Sequence, residues 1–384
     1  MNLTQPPLLN SLGAAWNFGA PVVGVVWEIE GASAAALLTN GHLARIDAQW
    51  PHGPYIEPRE EGGMRLVAAT ESAPHPVRAA CHSAAGLGLV AHRLGGFLSA
   101  GEDGRVVHLP RHGEPVVLVH EPACRIEAVA SGAEGEIACT SDAQVWRIGA
   151  AAIEAGDTPT QSVDLPAPAT ALAFDAEGRC LAVAHAGGVT LWPQGRLPRL
   201  LAVAGHPTAL AWAPDGRTVA IGTAEGALHG LTVAEALCFE VGRVAGGPAS
   251  TPLSISFSPD GRHLAASGGN RTLCWPFDAR APSGRAVECG VAAKAAVSAV
   301  AWHPRLAVIA SGHVNGALVL SHPKSRDGLF VRAAGGGAVN TVAWSPDGGR
   351  LAFGTSEGDF GWLAVPDALF RPSATARTPE ETVR

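Results

Sequence analysis

The stretch that decides the fold runs from residue 208 to residue 230 and reads TALAWAPDGRTVAIGTAEGALHG. An apolar run is followed by Pro214-Asp215-Gly216, a second run, the pair Glu225-Gly226 and a third run. In the first turn proline presets φ, aspartate bonds its own backbone and glycine accepts a positive φ. A polar residue followed by glycine is typical of a second tight turn. The stretch therefore predicts three antiparallel strands joined by short turns.

The same plan recurs along the chain. Near copies occupy residues 170–192, 253–275, 298–320 and 340–362. The residues that close the first strand of each repeat are Trp27, Ala91, Ser131, Phe174, Trp212, Phe257, Trp302 and Trp344, with separations of 64, 40, 43, 38, 45, 45 and 42 residues. Most of these intervals match the blade length of a propeller, roughly 40–45 residues. The sequence predicts an all-β fold, a β-propeller of four-stranded antiparallel blades, with eight blades favoured and seven as the alternative.

These repeats resemble those of the WD40 family from about residue 21 to residue 365, and bacterial members of the family are often as degenerate as this. The resemblance implies the propeller fold and says little about function. The tryptophan position of the repeat is occupied by Trp146, Trp192 and Trp275, but Arg147, Pro193 and Pro276 replace the aspartate that normally follows. The family's Gly-His pair appears cleanly only as Gly205-His206. The buried Asp-His-Ser-Trp network of eukaryotic members is therefore not assumed.

The domain boundaries follow from the repeats. Residues 1–19 form an N-terminal segment in which Leu8 to Trp16 is a candidate outer strand for the last blade, an arrangement that closes the ring without an unpaired edge. Residues 20–365 are expected to form a single propeller. Its first blade carries an insertion at 48–63, whose prolines and charges favour a surface loop. Residues 366–384 are expected to be a flexible tail.

Composition excludes several classes of partner. The chain has 27 Lys and Arg against 34 Asp and Glu, a net charge of −7, and no block of basic residues that would bind phosphates. Neither a signal peptide nor an apolar run long enough to span a membrane occurs in the sequence. The seven cysteines are scattered and form no C-x-x-C pair, which favours a reducing compartment. We expect a cytoplasmic protein that binds neither nucleic acid nor membranes.

The sequence favours a binding function over catalysis. It contains no phosphate-binding, zinc-protease or hydrolase motif, and its innermost strands carry mainly Ala, Ser, Val and Thr. We expect a non-catalytic scaffold that binds an unidentified protein through rim loops, with a propeller hydrolase or lyase as a weaker alternative. The candidate partner-binding residues lie at the second turns and are Glu102, Asp103, His185, Glu225, Asn270, Arg271, His313, Asn315 and Glu357.

The 15 histidines suggest a second alternative, a metal-handling propeller. Neutral imidazole is a common zinc ligand, and the repeat alignment places His185, His206 and His313 on one rim. Some alanine-rich WD40-like proteins that accompany metal-chaperone GTPases are similar to this chain in general type. Zinc ligands must, however, lie within about 2.0–2.2 Å of one ion, whereas equivalent positions in separate blades lie far apart. No cofactor is therefore expected, and zinc remains the alternative.

Overall fold

The computed structural model describes residues 6–59, 64–155, 161–244, 251–277 and 285–370. Within these ranges the chain forms eight four-stranded antiparallel sheets and one separate hairpin. The innermost strand of each sheet contacts the innermost strand of the next, and the eighth contacts the first. The prediction of an eight-bladed propeller is confirmed, and the seven-bladed alternative is wrong.

The first half of the ring begins with the helix α1 (Leu9–Leu12) and the strand β1 (Gly13–Asn17). From the channel outward, blade 1 consists of β2 (Val22–Trp27), β3 (Ser33–Leu38), β4 (His42–Asp47) and β7 (Val77–Ala80), and the inserted hairpin β5 (Tyr55–Pro58) and β6 (Met64–Val67) lies between β4 and β7. In the same order, blade 2 consists of β8 (Gly86–Ala91), β9 (Phe97–Gly101), β10 (Arg105–Leu109) and β11 (Val116–His120), and blade 3 of β12 (Ala128–Ser131), β13 (Ile137–Ser141), β14 (Gln144–Ile148) and β15 (Gln161–Asp164). Blade 4 consists of β16 (Ala169–Phe174), β17 (Cys180–His185), β18 (Gly188–Pro193) and β19 (Arg199–Ala202).

The second half repeats the pattern with shorter connections. Its strands are β20 (Pro207–Trp212), β21 (Thr218–Thr223), β22 (Ala227–Thr232) and β23 (Leu237–Arg243) in blade 5; β24 (Ile255–Phe257), β25 (His263–Ala266), β26 (Thr272–Pro276) and β27 (Val287–Cys289) in blade 6; β28 (Val297–Trp302), β29 (Ile309–His313), β30 (Leu318–Ser321) and β31 (Leu329–Arg332) in blade 7; and β32 (Val339–Trp344), β33 (Arg350–Thr355) and β34 (Asp359–Ala364) in blade 8.

Helical structure is minor in the part of the chain that the structure describes. Besides α1 it comprises α2 (Ala150–Ala155) and two short 3-10 helices, Ala133–Gly135 and Asp367–Phe370. None of the helices in these ranges is long and apolar enough to cross a membrane.

The N-terminal strand completes the eighth blade. β1 pairs antiparallel with β34, from Gly13 opposite Leu363 to Asn17 opposite Asp359. The strand begins at Gly13 rather than near Leu8, because Leu9–Leu12 form a helical turn whose Leu12 is buried in the core. The ring is thus closed by backbone hydrogen bonds between the two ends of the propeller.

The insertion in blade 1 contains regular structure. β5 and β6 pair as a hairpin, and Ile56 packs against the apolar cluster between blades 7 and 8. Trp50 contacts Trp362 with ring centroids 5.9 Å apart. Residues 60–63 lie outside the described ranges, as does the expected C-terminal tail from residue 371 onward.

Each blade is covered on both faces by its neighbours, so the middle strands are largely buried and rich in apolar residues. All six residues of β3 and all six of β21 are buried. Small side chains such as Ala34, Ala35 and Ala36 let adjacent sheets approach closely. This packing explains the abundance of alanine in the sequence.

One expected equivalence is wrong. Trp192 and Trp275 lie at the same blade position. Each pairs with the second-strand residue that lies opposite the last residue of the first strand of the blade. In blade 3 that position belongs to Ile148. Trp146 lies two residues before Ile148 and pairs with Cys139. Because side chains alternate along a strand, Trp146 still faces the same neighbouring blade as Ile148, and both belong to one apolar cluster.

Candidate partner-binding rim

The second turns share one face of the ring with the loops that enter the first strands. Contacts between the two kinds of loop establish this, for example from His82 to Asp103 and from Asn315 to Ala293. We call this face the second-turn rim. All nine candidate partner-binding residues lie on it or at the strand ends directly beneath it.

Blade 2 holds a buried polar network at this rim. His82 donates from Nδ1 to Asp103 over 2.9 Å, and its Nε2 accepts from the Ser99 hydroxyl over 2.9 Å. The second carboxylate oxygen of Asp103 accepts from the Ser83 amide. This arrangement resembles the Asp, His and Ser part of the WD40 network, with Leu109 at the tryptophan position. Asp103 therefore holds its turn in place rather than facing a partner.

His82 is a residue that the sequence reasoning missed. Where the WD40 repeat has a Gly-His pair, this blade has Cys81-His82, which lacks the glycine of the motif. Burial lowers the pKa of His82, although Asp103 opposes this shift. Burial opposes ionisation of Asp103, but hydrogen bonds from Ser83 and His82 still hold its pKa below the ordinary value. The sequence feature that could have identified His82 is a histidine four residues before a first strand.

Blade 5 carries an exposed counterpart of this network. His206 donates from Nδ1 to Glu225 over 2.6 Å, and the His206 amide donates to the other carboxylate oxygen over 2.9 Å. The two side chains are 71% and 44% exposed. These bonds from His206 lower the pKa of Glu225 to about 2. The structure thus brings together two of the residues predicted from sequence.

His185 and His313 are buried, unlike the exposed rim side chains expected for partner binding. His185 donates from Nδ1 to the carbonyl of Ala186 and accepts at Nε2 from Thr190. His313 donates from Nδ1 to the carbonyl of Ala295, and burial lowers its pKa. The reason is their position: both end a second strand, which neighbouring blades cover on both faces.

The predicted zinc ligands have separate partners. His206 is paired with Glu225, whereas His185 and His313 bond within their own surroundings. Within the described ranges no group of three or more His, Cys, Asp or Glu side chains is arranged to hold a metal ion. Zinc binding by His185, His206 and His313 stays a prediction.

The remaining candidates divide into loop supports and exposed groups. Arg271 donates to the carbonyl of Gly290, and Asn315 donates to that of Ala293 over 2.8 Å. The exposed candidates are Glu102, Glu225, Asn270 and Glu357. Both kinds of residue lie on the same face.

Additional carboxylates join the exposed candidates between blades 2 and 5. We call this part of the rim the acidic arc, and its members are Glu102, Glu121, Glu127, Asp142, Asp164 and Glu225. Arg125 lies among them, 3.5 Å from both Glu102 and Glu127. Four of the six were missed from sequence because they share no motif: Glu121 and Asp164 lie at the ends of fourth strands, Glu127 precedes a first strand, and Asp142 lies in a second turn without a glycine. The ring brings these loops of separate blades to one face.

Comparison with known proteins agrees with this architecture. The family model described as WD domain, G-beta repeat matches residues 243–275, from the end of β23 to the third strand of blade 6. Together with the eight blades, this match decides the type of propeller. The protein is a WD40-like β-propeller. No curated protein matches the sequence of this WD40-like propeller.

Several solved structures share the fold at low sequence identity. Sqt1 from Chaetomium thermophilum is 16% identical with a TM-score of 0.69, covering 94% of this chain and 100% of its own. The same protein bound to the N-terminus of the ribosomal protein L10 is 16% identical with a TM-score of 0.66, and the match covers 92% of this chain and 100% of that one. A chain of the Mitotic Checkpoint Complex is 14% identical with a TM-score of 0.58, and the match covers 96% of this chain and 98% of that one. At such identities these similarities show the fold alone.

Proposed function

We propose that this WD40-like propeller is a non-catalytic scaffold of the cytoplasm that binds a protein partner on its second-turn rim. The observation that carries the proposal is the division of labour on that rim. Buried or half-buried groups such as Asp103 and Asn315 hold the turns through hydrogen bonds. Glu102, Glu225 and Glu357 remain exposed on the same rim.

Preorganised loops favour binding, because little conformational entropy is lost when a partner docks. Although Arg125 lies among its carboxylates, the acidic arc keeps a net negative charge, and this charge favours a partner of complementary charge and speeds its encounter. The Sqt1 structure with the N-terminus of L10 is a precedent for a protein segment bound by a propeller of this fold.

The test is affinity purification of the tagged protein from its own cells, with mass spectrometry of what it retains. The rim variant carries Glu102→Lys, Glu225→Lys and Glu357→Lys. The matched control carries Glu114→Lys, Glu177→Lys and Glu235→Lys, three exposed glutamates in the connections at the opposite face. Both variants change the net charge equally, and circular dichroism checks that both remain folded.

We expect a protein that the wild type and the control retain and the rim variant loses. Retention by the rim variant at the wild-type level would contradict the proposed surface. Recovery of no protein above an untagged sample would contradict the scaffold function itself.

A further inference from the structure

Four basic side chains from three blades line a groove on the outer side of the ring. The groove has a volume of about 970 Å³. Arg243 ends β23, Arg285 precedes β27, and Lys324 and Arg326 lie between β30 and β31. Glu288 is the acidic residue of the lining. The groove is therefore positively charged on a chain whose net charge is −7.

Part of this positive charge is not compensated by the fold. Arg326 is paired with Glu288 over 3.3 Å, and Arg243 with Glu240 over 3.1 Å. Arg285 and Lys324 are exposed, and neither has an ion-pair partner among the residues that the structure describes. Within the described ranges, these two cations carry charge that no neighbouring carboxylate neutralises.

The floor of the groove is apolar. It includes Leu273, Trp275 and Val287, of which Val287 is 47% exposed. Trp275 lies directly against Gly242, where a Cβ would overlap its indole nitrogen. An apolar floor between charged walls suits a peptide whose apolar and charged side chains alternate.

The outer strand of blade 6 is short at this place. β27 has three residues and pairs only with Thr272 to Cys274, so Trp275 and Pro276 of β26 extend beyond their outer neighbour. As the last strand of its sheet, β27 leaves its outward edge unpaired in the described structure. Exposed strand edges accept an added strand through main-chain hydrogen bonds.

We propose that this groove binds an extended acidic segment of a partner protein, separately from the second-turn rim. Charge complementarity favours this occupant, because four cations, two of them without an ion-pair partner in the described ranges, face a ligand that supplies carboxylates. A nucleic acid fits less well, since four cations around an apolar floor neutralise few phosphates and the chain as a whole repels a long polyanion.

The experiment measures fluorescence anisotropy with a labelled peptide of about twelve alternating glutamates and valines, which spans roughly 40 Å when extended. The groove variant is Arg285→Glu with Lys324→Glu. The matched control is Arg196→Glu with Arg199→Glu, two exposed arginines at and before the outer strand of blade 4. A peptide with lysine in place of glutamate and an oligothymidylate of the same length are the ligand controls.

We expect the acidic peptide to bind the wild type and the control alike, and the affinity of the groove variant to fall about tenfold. Binding should weaken as salt rises, because exposed charges are screened. Any binding of the lysine peptide should not be weakened in the groove variant. Equal loss in both variants, unchanged affinity in the groove variant, or tighter binding of oligothymidylate than of peptide would each overturn the proposal, and none depends on the rim.

Discussion

The indole Nε1 of Trp27 donates a 3.0 Å hydrogen bond to the carbonyl oxygen of Ala343, and so joins the first blade to the eighth at their innermost strands. Trp212 and Trp344 bond the preceding blade in the same way, at 3.0 and 3.1 Å. Trp302 occupies the equivalent position, but its buried Nε1 has no partner in the ranges that the structure describes. Equivalent tryptophans thus differ in one hydrogen bond.

This difference predicts unequal effects of removing the indole nitrogen. Trp27→Phe leaves the carbonyl of the half-buried Ala343 without its indole donor, whereas Trp302→Phe removes a donor that is already unsatisfied. We expect Trp27→Phe to cost about 1 kcal/mol more in free energy of unfolding than Trp302→Phe. Urea denaturation of the two variants measures this. Equal midpoints would contradict the role assigned to the bond.

Two glycines of the Pro-Asp-Gly turns predict a second contrast. Gly216 and Gly348 have φ of +65° and +70°, a region that costs other residues about 1–2 kcal/mol. A Cβ at Gly216 would find its nearest neighbour 3.7 Å away, whereas one at Gly348 would overlap the His303 ring. Gly348→Ala should therefore lower the thermal midpoint clearly more than Gly216→Ala. Similar midpoints would show that the His303 ring moves aside freely.

Arg147 predicts a strong coupling between two residues. It donates to both carboxylate oxygens of Glu136 over 2.7 and 2.8 Å and to the Trp192 carbonyl of blade 4, and its side chain is 3% exposed. Arg147→Met should cost about 3–5 kcal/mol, because the half-buried Glu136 loses its cation. Adding Glu136→Leu should restore part of this loss. Strictly additive effects in urea denaturation would contradict the coupling.

His92 predicts how stability depends on pH. Burial, together with the nearby His108, lowers its pKa to about 4 from 6.5. Protonation of His92 is therefore disfavoured in the folded state. The contribution of its neutral imidazole to the free energy of unfolding is complete above pH 6.5 and is lost as the pH falls towards 4. The full loss is on the order of 3 kcal/mol.

Urea denaturation between pH 7 and pH 4 tests this effect with His92→Asn, whose amide oxygen can accept the Ser131 hydroxyl in place of Nδ1. The variant should lose less stability than the wild type over this range. His112→Asn, at an exposed position, controls for removal of an imidazole as such. An unchanged slope in His92→Asn would show that other groups carry the pH dependence.

Local chemistry made the blades predictable. In all three Pro-Asp-Gly turns the aspartate accepts from the amide two residues ahead, as Asp215 does from Arg217 over 2.9 Å. Such turns depend only on adjacent residues, so they could be recognised without the fold. The site was less predictable: Asp103 precedes its turn glycine as the exposed Glu225 does, yet it is bonded to His82, and His185 ends the strand before its turn and is enclosed by neighbouring blades.

The amino-acid sequence by itself determined the repeat, its turns and the all-β propeller, because strand alternation and turn geometry are encoded within a few residues. Only the tertiary structure decided which rim residues are buried, that Cys81-His82 replaces the usual pair, and that Arg285 and Lys324 meet across two blades. Exposure and the convergence of charges depend on how distant repeats pack around the ring, and spacing along the chain carries no record of that packing.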